Sequence, residues 1–447
     1  MIQQTKHCSG LLEVLKYNSY GLSGQTKIIE RVNLIMGEFK QRDYMFDTFR
    51  GLLILSIPMS HFTKMGGNLY GSLYMGGGFP QETLLGFVYI TINVFVMQAF
   101  MFLSGYFSKK PDRAQETAFG TFMWPYLVFT VLYYFIRIFF FGSANLKLLT
   151  PPFALWFLFV LFFYRFFLKY MVKFQYLLPL SFILCLIAGQ VEEFGNFMSL
   201  GRALSYFPFF LLGYYCSKER LAWLQGLKKR PVWLALLGIA LCGMTVLLMF
   251  HGPTVGWFLL KQSVHNYHMM WWEDSLLRIL VWLLASGWII FMINVIPSKK
   301  NFISFIGMNT MPIYVFHLTL RYVIDFYGLY IGFISCLVVA WFAIISLIHR
   351  KIKSGEANAR TCDIVYGVAI AVSIAAFFLM FNSGCLTSLY GLCPENKLAF
   401  YFMVYGGALI CGISFVAPFW IKLYDLLVDG PVKGSGLAKW LQGPAKL

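Results

Sequence analysis

The stretch LLGFVYITINVFVMQAFMFLSGYF, residues 84–107, carries no charged side chain from end to end. A helix needs about 20 predominantly apolar residues to cross a hydrocarbon core of ~30 Å, and this run supplies them. Similar runs recur near 45–63, 120–141, 152–168, 176–190, 203–217, 232–251, 276–296, 303–322, 328–348, 363–382 and 398–421. In a bilayer every backbone polar group must be satisfied internally, so only helices and closed barrels span it. Strand alternation is absent, and the pattern reads as an all-α polytopic transmembrane helix bundle of about ten to twelve helices.

Composition supports the same class. The 447 residues are 59% hydrophobic, 19% aromatic and 12% charged, whereas an ordinary soluble domain is about 25% charged. A soluble enzyme is excluded. The net charge of +17 is not pooled in one arm or domain, so it does not point to nucleic acid. It falls instead in short clusters between the apolar runs: Lys109, Lys110 and Arg113; Lys169 and Lys173; Lys218, Arg220, Lys228, Lys229 and Arg230; Lys299 and Lys300; Arg350, Lys351 and Lys353. The alternate connections hold Lys64, Lys147, Lys261 and Lys397 nearly alone, with Glu192 and Glu193. This positive-inside asymmetry predicts twelve spans in a cell membrane with both termini cytoplasmic.

Residues 1–43 are polar, show no cleavable signal pattern and read as a cytoplasmic N-terminal segment. Residues 44–350 form the main membrane domain, 351–421 hold two additional spans, and 422–447 read as a loosely ordered cytoplasmic tail. The nine cysteines show no metal-ligand spacing, and no metal site is expected. Cys385 and Cys393 share an outer loop, where a disulfide is permitted but not required.

The first span, FDTFRGLLILSIPMSHF at 46–62, carries the chemistry. Ionisable groups inside a span are expensive and mark function by default. Arg50 and His61 are eleven residues apart, which at 100° per residue puts them on one helix face, roughly 16 Å apart along the axis. Asp47 is placed to pair with Arg50. Pro58 has no N–H for the carbonyl of Ile54 and predicts a kink one turn before His61.

The order Asp47-x-x-Arg50-Gly51, followed by His61, resembles the first-span signature of the acyltransferase-3 family of membrane acyltransferases. FMFLSGYF at 100–107 is similar to that family's Phe-Phe-x-x-Ser-Gly motif, with Met101 in place of the second Phe. WPYLVF at 124–129, LWFL at 155–158, FPFFLLGY at 207–214 and IGMNTMPIYVFHL at 306–318 follow in the family's order. Where relatives often show paired arginines, this chain has Lys109-Lys110-Pro111-Asp112-Arg113. The likeness runs from about 42 to about 350.

The resemblance implies transfer of an acyl group, typically acetyl, from cytoplasmic acyl-CoA to a hydroxyl of a cell-surface or lipid-linked carbohydrate, with acyl-CoA as co-substrate and no bound cofactor. An alcohol needs a base at neutral pH, and imidazole is matched to accepting its proton. His61 is the candidate, as general base or as a group that is itself acylated. Arg50 is the candidate for the donor's phosphates, with Lys109, Lys110 and Arg113 as a wider funnel. Those three are equally read as the inside-positive flank.

Ser104-Gly105 either lets helices approach or lines the site, and His317 either faces the cavity or bonds to another helix. Asn309 and Tyr314 are weaker companions. In the outer loop VHNYHMMWWED, 264–274, His265, His268, Glu273 and Asp274 sit beside Trp271 and Trp272. Tryptophan anchoring at the interface is the default there, with sugar stacking second and metal ligation a distant third. The competing function is a multi-pass transporter or flippase for an envelope glycan. It calls for internal repeats and interrupted helices in matching halves, which the sequence does not display.

Overall fold

The computed structural model describes residues 43–69, 84–194, 197–254, 256–261, 263–327 and 417–431. From Tyr44 on they belong to one unit. Among the described residues there are helices and no strands. The helices are α1 (Met45–Leu69), α2 (Leu84–Tyr106), α3 (Pro111–Ala118), α4 (Trp124–Phe141), α5 (Trp156–Met171), α6 (Leu177–Gln190), α7 (Leu200–Tyr215), α8 (Lys218–Leu224), α9 (Pro231–His251), α10 (Trp271–Val295), α11 (Phe302–Met308), α12 (Thr310–Tyr327) and α13 (Ala417–Tyr424). Among the described residues four segments are long and apolar enough to cross a membrane: Gly86–Tyr106, Pro111–Phe139, Pro231–His251 and Trp271–Val295.

The α2 stretch, uncharged and apolar around most of its circumference, takes the central place that such a helix requires. It packs on α1, α7, α9 and α10. By contrast α9 is as apolar but peripheral, with Ile239 69% exposed and Trp233 61% exposed. An apolar face of that kind is matched to lipid rather than to water.

Two pairs of glycines set the helix crossings. A Cβ at Gly105 would overlap the Phe210 carbonyl, and one at Gly213 would overlap the Phe102 carbonyl, so α2 and α7 cross backbone to backbone. A Cβ at Gly51 would overlap the Ile303 carbonyl, and one at Gly307 the Asp47 carbonyl, which does the same for α1 and α11. Small residues at such crossings are the usual means of bringing membrane helices together.

Several boundaries differ from expectation. The span at 303–322 is two helices: after α11 the chain breaks at Asn309, whose side chain donates to the Phe305 carbonyl at 2.9 Å. The helix expected from 120 begins at Pro111, and its polar first turns form α3. At Phe119–Met123 it widens into a π turn that ends with Trp124 N–H bonded to the Phe119 carbonyl. Pro125, with no N–H to give, sits just beyond and accounts for the irregularity. Trp271–Asp274, read as loop, form the first turn of α10, where Glu273 accepts from the Met270 N–H at 2.8 Å. The segment read as a tail from 422 starts inside α13 and continues through a π turn at Asp425–Asp429. That turn packs on α4: Trp124 Nε1 donates to the Val428 carbonyl at 3.0 Å, while Trp420 stacks on Phe316 at 4.8 Å. The expected spans 328–348 and 363–382, most of 398–421, and Cys385 with Cys393 lie outside the described residues.

Candidate active site

At one end of α1, Asp47 is 2% exposed and accepts from Arg50 Nη2 at 3.0 Å. The guanidinium lies over Phe107, 5.0 Å from the ring centroid. Its side chain keeps 30% exposure. Phe107 meets Tyr106 edge-on at 5.5 Å, and Lys109 lies over Tyr106 at 5.1 Å. Arg50, Asp47 and Lys109 are thus brought to one aromatic platform at the end of α2. Lys109, however, is committed: Nζ donates to the carbonyls of Gly213, Tyr214 and Cys216 at the C-terminus of α7, the Gly213 and Cys216 bonds being 2.9 and 2.7 Å. A cation there answers the unsatisfied carbonyls and the helix dipole. Burial lowers the ammonium's pKa below the ordinary lysine value. Lys110 and Arg113 are exposed at the same end.

Gly105 serves the α2–α7 crossing, and the neighbouring Ser104 carbonyl accepts from the Ser108 hydroxyl at 2.7 Å. His317 is buried, with Nδ1 bonded to the Tyr314 carbonyl of its own helix, and it does not line the cavity described next.

The other end of the bundle holds a cavity of about 590 Å³, within the range of about 300–1,000 Å³ usual for ligand sites. α1 contributes Ile57, α2 contributes Asn93, and α12 contributes Tyr314, whose hydroxyl donates to the Ala154 carbonyl. Trp156 opens α5 here and stacks on Tyr206 at 5.3 Å, while the Arg202 guanidinium lies over its ring at 4.8 Å. Position 61 is one turn beyond Ile57 on α1, about 40° around the axis. The His61 side chain lies outside the described residues.

Four arginines that the first-span pattern does not point to also take up defined places in the bundle. Arg137 and Arg202 line the cavity. Arg165 lies over Phe122 at 5.3 Å and donates to the Thr117 hydroxyl at 3.3 Å. Arg278 is 2% exposed and pairs with Asp274 at 2.7 Å, and its Nη1 donates to the Ser205 hydroxyl at 2.9 Å. Trp257 Nε1 and Gln190 Nε2 donate to the same Asp274 carboxylate at 2.8 and 3.2 Å. Asp274 is therefore a structural counter-ion joining α6, α10 and the loop before α10, and Arg278 extends the network to Ser205 on α7. Charges in apolar runs were the signal, the same that singled out Arg50.

The arrangement is a membrane helix bundle with a guanidinium at one end of α1 and a polar cavity toward the other. The family model described as an acyltransferase domain, Acyl_transf_3, matches residues 43–350. The chain belongs to the acyltransferase-3 family. It is a membrane acyltransferase. The matched region begins just before the helix that carries Arg50 and takes in every residue described at both ends of α1. No curated protein and no solved structure matches the chain. Within the acyltransferase-3 region, motif glycines Gly51, Gly105, Gly213 and Gly307 are the helix crossings, and motif aromatics Trp156 and Tyr314 are cavity wall.

Proposed function

We propose that this acyltransferase moves an acyl group, typically acetyl, from cytoplasmic acyl-CoA to a hydroxyl of a cell-surface or lipid-linked carbohydrate. The donor's phosphates bind at the Arg50 end, with Lys110 and Arg113 as the wider positive field, and the acceptor enters the cavity at the other end. The protein sits in the cell membrane, its basic loops and both termini on the cytoplasmic side. Coenzyme A separates its phosphates from its thioester by the flexible pantetheine arm. A phosphate site at Arg50 and a reaction centre at His61, roughly 16 Å apart, suit a donor of that shape.

His61 accepts the proton of the acceptor hydroxyl as the oxygen attacks the thioester carbonyl. The new C–O bond forms, the C–S bond breaks, and the departing thiolate takes a proton to leave coenzyme A as the free thiol. The observation that supports this reading is the course of α1: Arg50, paired with Asp47 yet accessible, stands at one end, and Ile57 on the cavity wall precedes His61 by one turn. The test is purified full-length protein supplied with radiolabelled acetyl-CoA and membrane glycans. Label should enter the carbohydrate with wild-type protein and not with His61→Ala. Glycan translocation without thioester consumption would favour the transporter instead.

A further inference from the structure

The wall of the outer cavity has one sign of charge. Arg137 from α4, Lys147 from the loop after it, Arg202 from α7 and Lys261 from the loop before α10 all line it, and no carboxylate does among the described residues. Arg202 is half-buried, and its contact among the described residues is the face of Trp156 rather than an acid. Lys261 lies against the segment that bears it: its carbonyl is next to Gly201, and its ammonium pKa is lowered first by burial and then by the Arg202 charge. Holding the half-buried Arg202 and Lys261 beside one another is costly unless an anion joins them, while Lys147 is exposed. Asp274 and Arg278 provide the contrast, since that buried arginine is matched to a carboxylate at 2.7 Å.

We infer that the cavity binds an acidic carbohydrate, one bearing a carboxylate or a phosphate, with its anionic group held by Arg202 and Lys261 and its field widened by Arg137 and Lys147. Guanidinium pairs with either oxyanion through two parallel hydrogen bonds, and the lysine adds a point charge. The remaining wall is what a sugar needs. Asn93, Asn145 and Thr150 offer partners for hydroxyls, and Tyr134 offers ring surface. The inference rests on the reading that this cavity receives the acceptor, and it specifies that acceptor's chemical class.

Binding to the purified full chain in zwitterionic nanodiscs tests it, followed by calorimetry or tryptophan fluorescence. The ligands are a glucuronate-containing oligosaccharide, a sugar 1-phosphate, a neutral oligosaccharide of matched length, glycerol phosphate and inorganic phosphate. The acidic sugars should bind at least about tenfold more tightly than the neutral one, and more weakly as salt rises. Arg202→Gln and Lys261→Gln should each lose about tenfold for the acidic sugars, with Arg202→Lys retaining part of the affinity. Lys261 lies in a loop, so its variant keeps the test valid should Arg202→Gln fail to fold.

Equal affinity for neutral and acidic sugars would overturn the inference. So would absence of binding by any of the five. Equal affinity for glycerol phosphate and the acidic sugars would mark a lipid-headgroup site and overturn it too, as would the same result with inorganic phosphate, a simple anion site. An acidic sugar that binds as expected but is never acylated would uphold the anionic cavity while refuting its assignment to the acceptor. Acylation of neutral glycans unaffected by Lys261→Gln would uphold acyl transfer to carbohydrate and overturn the acidic acceptor.

Discussion

Gly307 rests on the backbone of Asp47, so close that a Cβ at position 307 would overlap the Asp47 carbonyl and approach the Gly51 nitrogen. The crossing of α11 on α1 thereby fixes the helix that carries both Arg50 and His61. Gly307→Ala should push the helices apart and cost about 1–3 kcal/mol, as overpacking does. The measurement is thermal unfolding in detergent together with acyl transfer, both of which should fall. Gly243, in α9, has open space where a Cβ would go. Gly243→Ala should be neutral, or stabilising by up to ~1 kcal/mol.

The buried pair of Asp274 and Arg278 gives a sharper stability test. Arg278→Met leaves a carboxylate in the interior without its guanidinium and should destabilise by about 3–5 kcal/mol. Replacing both residues with apolar ones of similar volume should recover much of that loss. A double-mutant cycle on unfolding free energies measures the coupling. Additive single effects would show that the two charges do not depend on one another.

The basic cluster after α2 should divide by role. Lys109 caps the α7 carbonyls, so Lys109→Met should lower the unfolding midpoint, by the equivalent of about 1–2 kcal/mol. Lys110→Gln with Arg113→Gln removes exposed charge and should leave stability within ~0.5 kcal/mol. If these two steer the donor, KM for acyl-CoA rises in the double variant and rises less at high salt. Arg50→Gln should raise that KM further still.

Much of the bundle was legible because apolar runs of spanning length have few alternatives. Leu84–Tyr106 and Pro231–His251 fall within a residue of expectation. The broken span at Asn309 was not legible, since hydropathy averages over a window and does not register one side chain turning back to a carbonyl. Close helix approach at Ser104-Gly105 is one of the two readings the sequence offers, but that Gly105 meets α7 at Phe210 and Gly213 meets α2 at Phe102 was not legible, since sequence does not say which helix a glycine faces. The pairing of Asp47 with Arg50 could be read because it lies within one helix turn. The pairing of Asp274 with Arg278, at i,i+4, follows the same one-turn logic, but the sequence reads Asp274 as loop. The four cations of the cavity come from four separate segments, and only the folded chain brings them to one wall.

The most direct test of the proposed chemistry is the rate of acyl-CoA consumption and of acyl transfer to glycan by His61→Ala, alongside its unfolding midpoint. General-base assistance contributes about 10²–10⁴-fold. The variant should therefore keep its midpoint and its donor affinity while losing at least about a hundredfold in transfer. A folded His61→Ala protein that transfers acyl groups at the wild-type rate would contradict the assignment of His61 as the base.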